Sequence, residues 1–166
     1  KDRIGASITA SRAIRGGNYV QLATCDASGS PRVRTVVFRG FSPQGDLKMT
    51  TDARSAKVDQ SRDCELCWWF SQSHEQYRIR GTLEYVHDGE RRREAWGAMS
   101  EQGKTQFFSP RSQDCREAEL GEGIPDSFLL VLLRPNVCDY LNLDENYRQV
   151  DERDERGEWI STRVHP

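Results

Sequence analysis

No apolar run in this 166-residue chain approaches the ~20 residues needed to cross a bilayer as a helix. The longest, Phe128-Leu-Leu-Val-Leu-Leu133, has the length of a strand, and no secretory apolar region precedes the body of the sequence. An excess of charge is missing too. Lys and Arg number 24 against 26 Asp and Glu, a formal net charge of −2. Such a balance offers no field to nucleic acid or an anionic membrane, so neither is expected as a partner. Five cysteines, an odd number, argue against an extracellular disulfide framework and for a reducing, cytoplasmic location. Large aliphatic side chains are scarce. Leu, Ile, Val and Phe are 33 of the 166 residues, just under the ~20% at which disorder is suspected. Disorder also requires high net charge, which leaves a folded chain with a thin core whose burial a second copy completes.

Several chemistries are excluded by missing motifs. The sequence contains no Gly-rich dinucleotide fingerprint, no phosphate loop ending in Gly-Lys-Ser/Thr, and no His-Glu-x-x-His. His74, His87 and His165 stand apart. Cys64-Glu-Leu-Cys67 resembles a metal pair, but it lies in a strand pattern, where residues three apart face opposite sides of a sheet. No metal site is expected.

What is present is mostly strand. Ile4, Ile8 and Ile14 predict a helix over 2–15, stopped by Gly16-Gly17-Asn18. Tyr19–Thr24 and Val33–Phe38 flank a turn-rich loop, Asp26-Ala-Ser-Gly-Ser-Pro31. Leu47–Thr51 reads as a third strand, followed by a short helix with Asp52 as its N-cap. Cys64–Phe70 and Gln76–Val86 follow as strands, then a charged helix over 89–104 with Ala95, Trp96 and Met99 on its buried side. Residues 105–127 are polar and irregular. Phe128–Leu133, Val137–Leu143, Tyr147–Arg153 and Trp159–Val164 complete the strands. Many short antiparallel strands with few helices predict an all-β barrel with flanking helices, and the strand–helix alternation of a doubly wound sheet is absent.

One region concentrates possible chemistry. In Arg34-Thr-Val-Val-Phe-Arg39, period-two alternation sets Arg34, Val36 and Phe38 on one face and Thr35, Val37 and Arg39 on the other. In Thr50-Thr-Asp-Ala-Arg-Ser-Ala-Lys57, a helix opened by Asp52 would present free N–H groups beside the hydroxyls of Thr51 and Ser55 and the Lys57 ammonium. Those donors suit a phosphate dianion. The plainer alternative is a capped helix with a solvated basic face.

The order of these segments, followed by the Trp68-Trp69 strand and Glu75-Gln-Tyr-Arg-Ile-Arg-Gly81, resembles the pyridoxamine 5′-phosphate oxidase-related FMN-binding split barrels. Trp96 and Ser100-Glu-Gln-Gly-Lys-Thr-Gln-Phe107 echo a later family segment. The resemblance implies one domain over 1–166: an N-terminal helix (1–17), barrel strands and phosphate helix (18–86), a helix (89–104) and C-terminal strands (128–166). It implies a six-stranded antiparallel split barrel that forms a homodimer with FMN in the interface cleft. Arg34, Thr35, Val36, Val37, Phe38 and Arg39 would line the ring and phosphate side. Thr50, Thr51, Ser55, Ala56 and Lys57 would hold the phosphate, Gln76 would reach the flavin, and the partner copy would contribute Gln102 and Gly103. The implied activity is flavin-dependent oxidation or reduction of an unnamed small molecule, with catalytic residues unknown. A non-catalytic FMN-binding or storage module is the alternative. A haem-binding relative is a third reading, but no His or Met is well placed as an axial ligand.

The sequence also departs from the family pattern. Ala56-Lys57 stands where the oxidase proper has Arg-Lys, with Arg54, Arg34 or Arg78 available to compensate. Leu141 stands for an expected Trp. Asn146-Tyr-Arg-Gln-Val-Asp-Glu152 replaces the Arg-Leu-His-Asp-Arg grip on the substrate, leaving Arg148 as its remnant, and the residues that hold the substrate phosphate have no counterpart around Val86–Arg93. The expectation is FMN binding without meaningful pyridoxamine 5′-phosphate oxidase activity.

Overall fold

The computed structural model describes residues 2–11, 13–108 and 121–166. Its elements in order are α1 (Asp2–Ala10), β1 (Tyr19–Cys25), β2 (Pro31–Val37), β3 (Leu47–Asp52), a 3-10 turn (Ala56–Asp59), β4 (Asp63–Phe70) and β5 (Glu75–Val86). After these come α2 (Gly89–Gly97), α3 (Glu101–Thr105), β6 (Phe128–Asn142), β7 (Tyr147–Arg153) and β8 (Trp159–Val164). All strand pairings are antiparallel, in the order β2-β1-β4-β5-β6-β7-β8 with β3 also on β6.

Side-chain alternation builds the core. Val20, Leu22 and Thr24 of β1, Leu47 and Met49 of β3, Leu66, Trp68 and Phe70 of β4, and Tyr77, Ile79 and Leu83 of β5 all point inward. Phe38 joins them, against Phe41 and Trp68. The first half of β6 is apolar on both faces because both are covered. Leu129, Val131 and Leu133 enter the main core, whereas Leu130 and Leu132 pack with Val86 and Ala95 of α2. Phe128 packs with Trp96, Met99 and Phe107.

Strand β6 organises the sheet. From Leu130 to Asn142 it pairs with β5, while its other edge takes β3 on the first half and β7 on the second. The change of partner falls around Pro135, which lacks an N–H, pairs with Gly81 and precedes a bulge at Asn136, the residue skipped where the register shifts between Arg80 and Gly81. Gly81 is required there, because a Cβ would sit 2.1 Å from the Arg134 carbonyl oxygen. Beyond β2, the Arg39 N–H donates to Lys48 O and the Lys48 N–H donates to Gly40 O, both at 2.8 Å. These bonds tie the segment after β2 to β3, and the antiparallel sheet has eight strands where six were expected.

Four sequence expectations shift. The two strands expected at 128–133 and 137–143 are one, because β6 absorbs the irregularity beside Pro135 as a bulge at Asn136 and keeps its pairing with β5. The first helix ends at Ala10, and the helix over 89–104 breaks after Gly97, where Ser100 caps α3 by accepting from Gly103 N–H. Asp52 caps no helix. It ends β3, its Oδ1 accepts from Arg54 N–H at 2.7 Å, and Ala53 N–H continues the ladder to Ser127 O. Ser55 is still extended (φ −77°, ψ 135°), so only the four-residue 3-10 turn follows.

Candidate functional site

A cleft of about 1030 Å³ lies between β2, the end of β3, the segment over 52–60, and Gln106 with Phe107. That volume lies at the upper end of the range for small-molecule sites, ~300–1,000 Å³. Two half-buried cations face it. The Arg34 side chain crosses β1, donating to Leu22 O (3.1 Å), Thr24 Oγ1 (2.6 Å) and Gln60 Oε1 (2.5 Å). Thr24 in turn donates to Gln60 Oε1 at 2.6 Å, so neutral acceptors fix the guanidinium. Lys57 Nζ donates to Thr51 Oγ1 (2.9 Å) and Ser55 Oγ (2.6 Å). The Tyr85 hydroxyl pins the turn from the barrel side by donating to Lys57 O at 3.1 Å.

The electrostatics favour an anion. Burial lowers the Lys57 pKa, nearby Arg34 lowers it further, and Asp52 opposes both. Burial also lowers the Arg34 pKa. Among the described residues, neither cation makes an ion pair with a carboxylate within 4 Å. Asp52, whose charge acts on Lys57, is paired with Arg54 at 2.6 Å. A phosphate accepting from Lys57, Thr51 and Ser55 would relieve the repulsion between the two cations. Apolar cleft walls from Val33, Val36, Val37 and Phe107 suit a flat ring system. The residues present therefore fit FMN. The helix N-terminus expected to help hold a phosphate is absent, which leaves that task to side chains.

Ten of the residues singled out from sequence line this one cleft: Arg34, Thr35, Val36, Val37, Arg39, Thr50, Thr51, Ser55, Ala56 and Lys57. Four do not. Phe38 is buried in the core. Gln76 lies on the outer face of β5, between Trp69 and Leu141 in the register, where its Oε1 accepts from Cys67 Sγ at 3.8 Å. Gln102 and Gly103 lie on α3, outside the lining. Sequence reasoning missed Thr24 and Gln60, the two side chains that orient Arg34. The alternation of β1 carried a signal for Thr24, a hydroxyl on an otherwise apolar inward face. Gln60 had none, since the 3-10 turn sets its position.

Cys64 is buried and Cys67 half-buried on the opposite face of β4. Burial pushes the Cys64 thiol up to about 12. Arg148, expected from the resemblance as a remnant of the substrate grip, donates to both oxygens of Asp139 (3.0 and 2.8 Å), and Arg78 donates to the same carboxylate.

Comparison with known proteins places this geometry in context. A family model described as pyridoxamine 5′-phosphate oxidase, FMN-binding domain, matches residues 1–87. Pyridoxine/pyridoxamine 5′-phosphate oxidase 2 of Arabidopsis thaliana is 33% identical over 190 aligned residues, covering 100% of this chain and 96% of the relative. A pyridoxamine 5′-phosphate oxidase-related, FMN-binding protein from Nostoc punctiforme superposes with a TM-score of 0.92 at 31% identity, covering 100% of this chain and 97% of that one. PhzG from Burkholderia lata, solved with tetrahydrophenazine-1-carboxylic acid, shares the fold at 19% identity, with a TM-score of 0.80 over 99% of this chain and 90% of its own.

Proposed function

Because the chain belongs to the pyridoxamine 5′-phosphate oxidase FMN-binding family, we propose that it is a flavin-dependent oxidoreductase of a small molecule, with FMN as its cofactor. The observation that carries this reading is the pair of half-buried cations, Lys57 and Arg34, facing one cleft without a bonded carboxylate. When bound, FMN supplies two-electron redox chemistry. Lys57, Thr51 and Ser55 bind its phosphate, Arg34 adds a second positive charge, and Val36 and Val37 exclude water from the ring side.

The proposed assembly is a homodimer. Tyr19 (51% exposed), Val33 (65%), Trp69 (43%) and Ile160 (55%) all stand on the sheet face opposite the core. An apolar surface of this kind, spread across several strands, suits a self-complementary two-fold contact. Gln76 shares that face and would reach a flavin across the interface, while α3 would bring Gln102 and Gly103 to the partner's cleft. Location in a reducing cytoplasm accords with the free thiols of Cys25, Cys64, Cys67 and Cys138. No described helix is long and apolar enough to cross a membrane.

A non-catalytic FMN-binding or storage module is the second reading, favoured by Asp139 holding both Arg78 and Arg148. Flavin titration followed by turnover assays tests both. FMN binding with turnover of some member of a small-molecule panel supports the oxidoreductase, and FMN binding with none supports the module. With pyridoxamine 5′-phosphate, kcat/KM is expected to fall below ~10⁴ M⁻¹s⁻¹, the low end for ordinary enzymes.

A further inference from the structure

Gln60 lines the cleft, and its backbone is held from both sides. Its N–H donates to Lys57 O at 3.3 Å. The next residue, Ser61, is tied to the end of β1, donating from its N–H to Cys25 O (2.8 Å) and accepting at Oγ from Cys25 N–H (2.9 Å). The side chain has one orientation that its neighbours allow. Arg34 can only donate, and the Thr24 hydroxyl, which accepts from Arg34, gives its single proton to the same Gln60 atom. That atom must be the amide oxygen, so the NH2 group is turned away from both donors. Among the described residues this NH2 group has no partner.

Arg34 uses three of its N–H groups, on Leu22 O, Thr24 Oγ1 and Gln60 Oε1. A guanidinium carries about five, so roughly two remain for a ligand. Every acceptor that holds it is neutral, and it makes no ion pair with a carboxylate among the described residues. A carboxylate in place of the Gln60 amide would make the same two bonds and cancel the charge. The amide fixes the guanidinium and leaves its charge available.

Resting on the flavin reading above, we propose that Gln60 reserves Arg34 for the flavin phosphate and so selects phosphorylated flavin over riboflavin. Its oxygen positions the guanidinium without neutralising it, and its NH2 group donates to the phosphate. Gln60 is therefore both a positioning and a specificity-determining residue.

Fluorescence titration with FMN and riboflavin, which differ in the phosphate alone, tests this. The wild type is expected to bind FMN about tenfold or more tightly than riboflavin, the effect of at least one charge-assisted hydrogen bond. Gln60→Glu keeps the acceptor but adds a charge that pairs with Arg34 and repels the phosphate. It should weaken FMN about tenfold or more and leave riboflavin unchanged. Relative to the wild type at each pH, that loss should shrink as pH falls toward the ordinary carboxyl range and the introduced group protonates. Gln60→Met removes the acceptor and the donor without adding charge. It should also weaken FMN alone, with no such recovery in acid, and it judges the proposal by the same ratio where Gln60→Glu does not fold. Equal losses of both flavins, FMN affinity unchanged in the variants, or a Gln60→Glu loss that persists in acid overturns the proposal. A wild type that binds neither flavin overturns the flavin reading instead. Inorganic phosphate then still judges Gln60, because it should stabilise the flavin-free wild type against heat, beyond chloride of equal ionic strength, more than it stabilises Gln60→Glu. Equal stabilisation would overturn the role of Gln60.

Discussion

Lys57 is the side chain on which the phosphate clamp turns. It is held by two hydroxyls, crowded by Arg34 and partly withdrawn from water. Lys57→Ala should weaken FMN binding about 10- to 150-fold, the value of a charge-assisted bond to phosphate, and more than Lys48→Ala, which lies outside that cleft. Fluorescence titration of both variants checks the difference, and equal losses would remove Lys57 from the site. A second residue, Glu75, serves the fold. Its buried carboxylate accepts from Ser7 (2.7 Å), Ser73 (2.5 Å) and Tyr140 (2.7 Å), which ties α1 to β5 and β6. Burial alone would raise its pKa, but bonds from Ser73, Tyr140, Ser7 and Tyr77 outweigh it and hold the carboxyl below its ordinary value. A depressed acid contributes stability that is present above the unfolded pKa and lost as pH falls through the folded one. Glu75→Gln should therefore cost about 1–3 kcal/mol at neutral pH. Melting curves of the two proteins should converge as pH falls below the ordinary carboxyl range.

At the scale of elements, β6 decides the architecture. A 15-residue strand serves both β3 and β7 on one edge because its own bulge at Asn136, opposite the Arg80–Gly81 step of β5, separates the two partners. Gly81→Ala drives a Cβ into a backbone carbonyl, which no rotamer change relieves. A destabilisation of about 2–3 kcal/mol is expected, read as a fall in Tm of about 4–12 °C at this chain length. An unchanged Tm would mean that the two strands part more easily than their geometry implies. The 3-10 turn is the second decisive element. It is too short to develop a helix terminus, so Thr51, Ser55 and Lys57 converge through side-chain hydrogen bonds instead.

The whole molecule presents one broad sheet face that the described residues leave uncovered. Tyr19, Val33, Trp69 and Ile160 stand exposed there, around the Arg78–Asp139–Arg148 cluster. In the proposed homodimer this face is buried, so Trp69→Glu places an unpaired charge in the interface and should shift the protein to monomer. Light scattering after size exclusion reads the mass. If the dimer also completes the flavin site through Gln76, FMN affinity falls with it, whereas a monomeric wild type would refute the assembly.

Local pattern was enough for much of this protein. Period-two alternation marked β1 to β5 and the C-terminal strands, because a half-buried strand writes its burial directly into successive residues. Donor side chains marked Thr51, Ser55 and Lys57 as an anion-binding group, while Arg34 joined them only through the family resemblance that the order of the segments carried. Other features depend on distant parts of the chain. Residues 128–142 form one strand rather than two because β6 carries Asn136 as a bulge against the continuous Arg80–Gly81 step of β5, and no window around Pro135 contains those partners. Asp52 ends a strand rather than capping a helix because Ala53 finds Ser127, more than 70 residues away, and continues the ladder. Gln60 orients Arg34 because the turn delivers it to Thr24 across the barrel. Alternation is a property of neighbours in sequence. Hydrogen-bond partners and cleft walls belong to neighbours in space, and tertiary packing alone chose them.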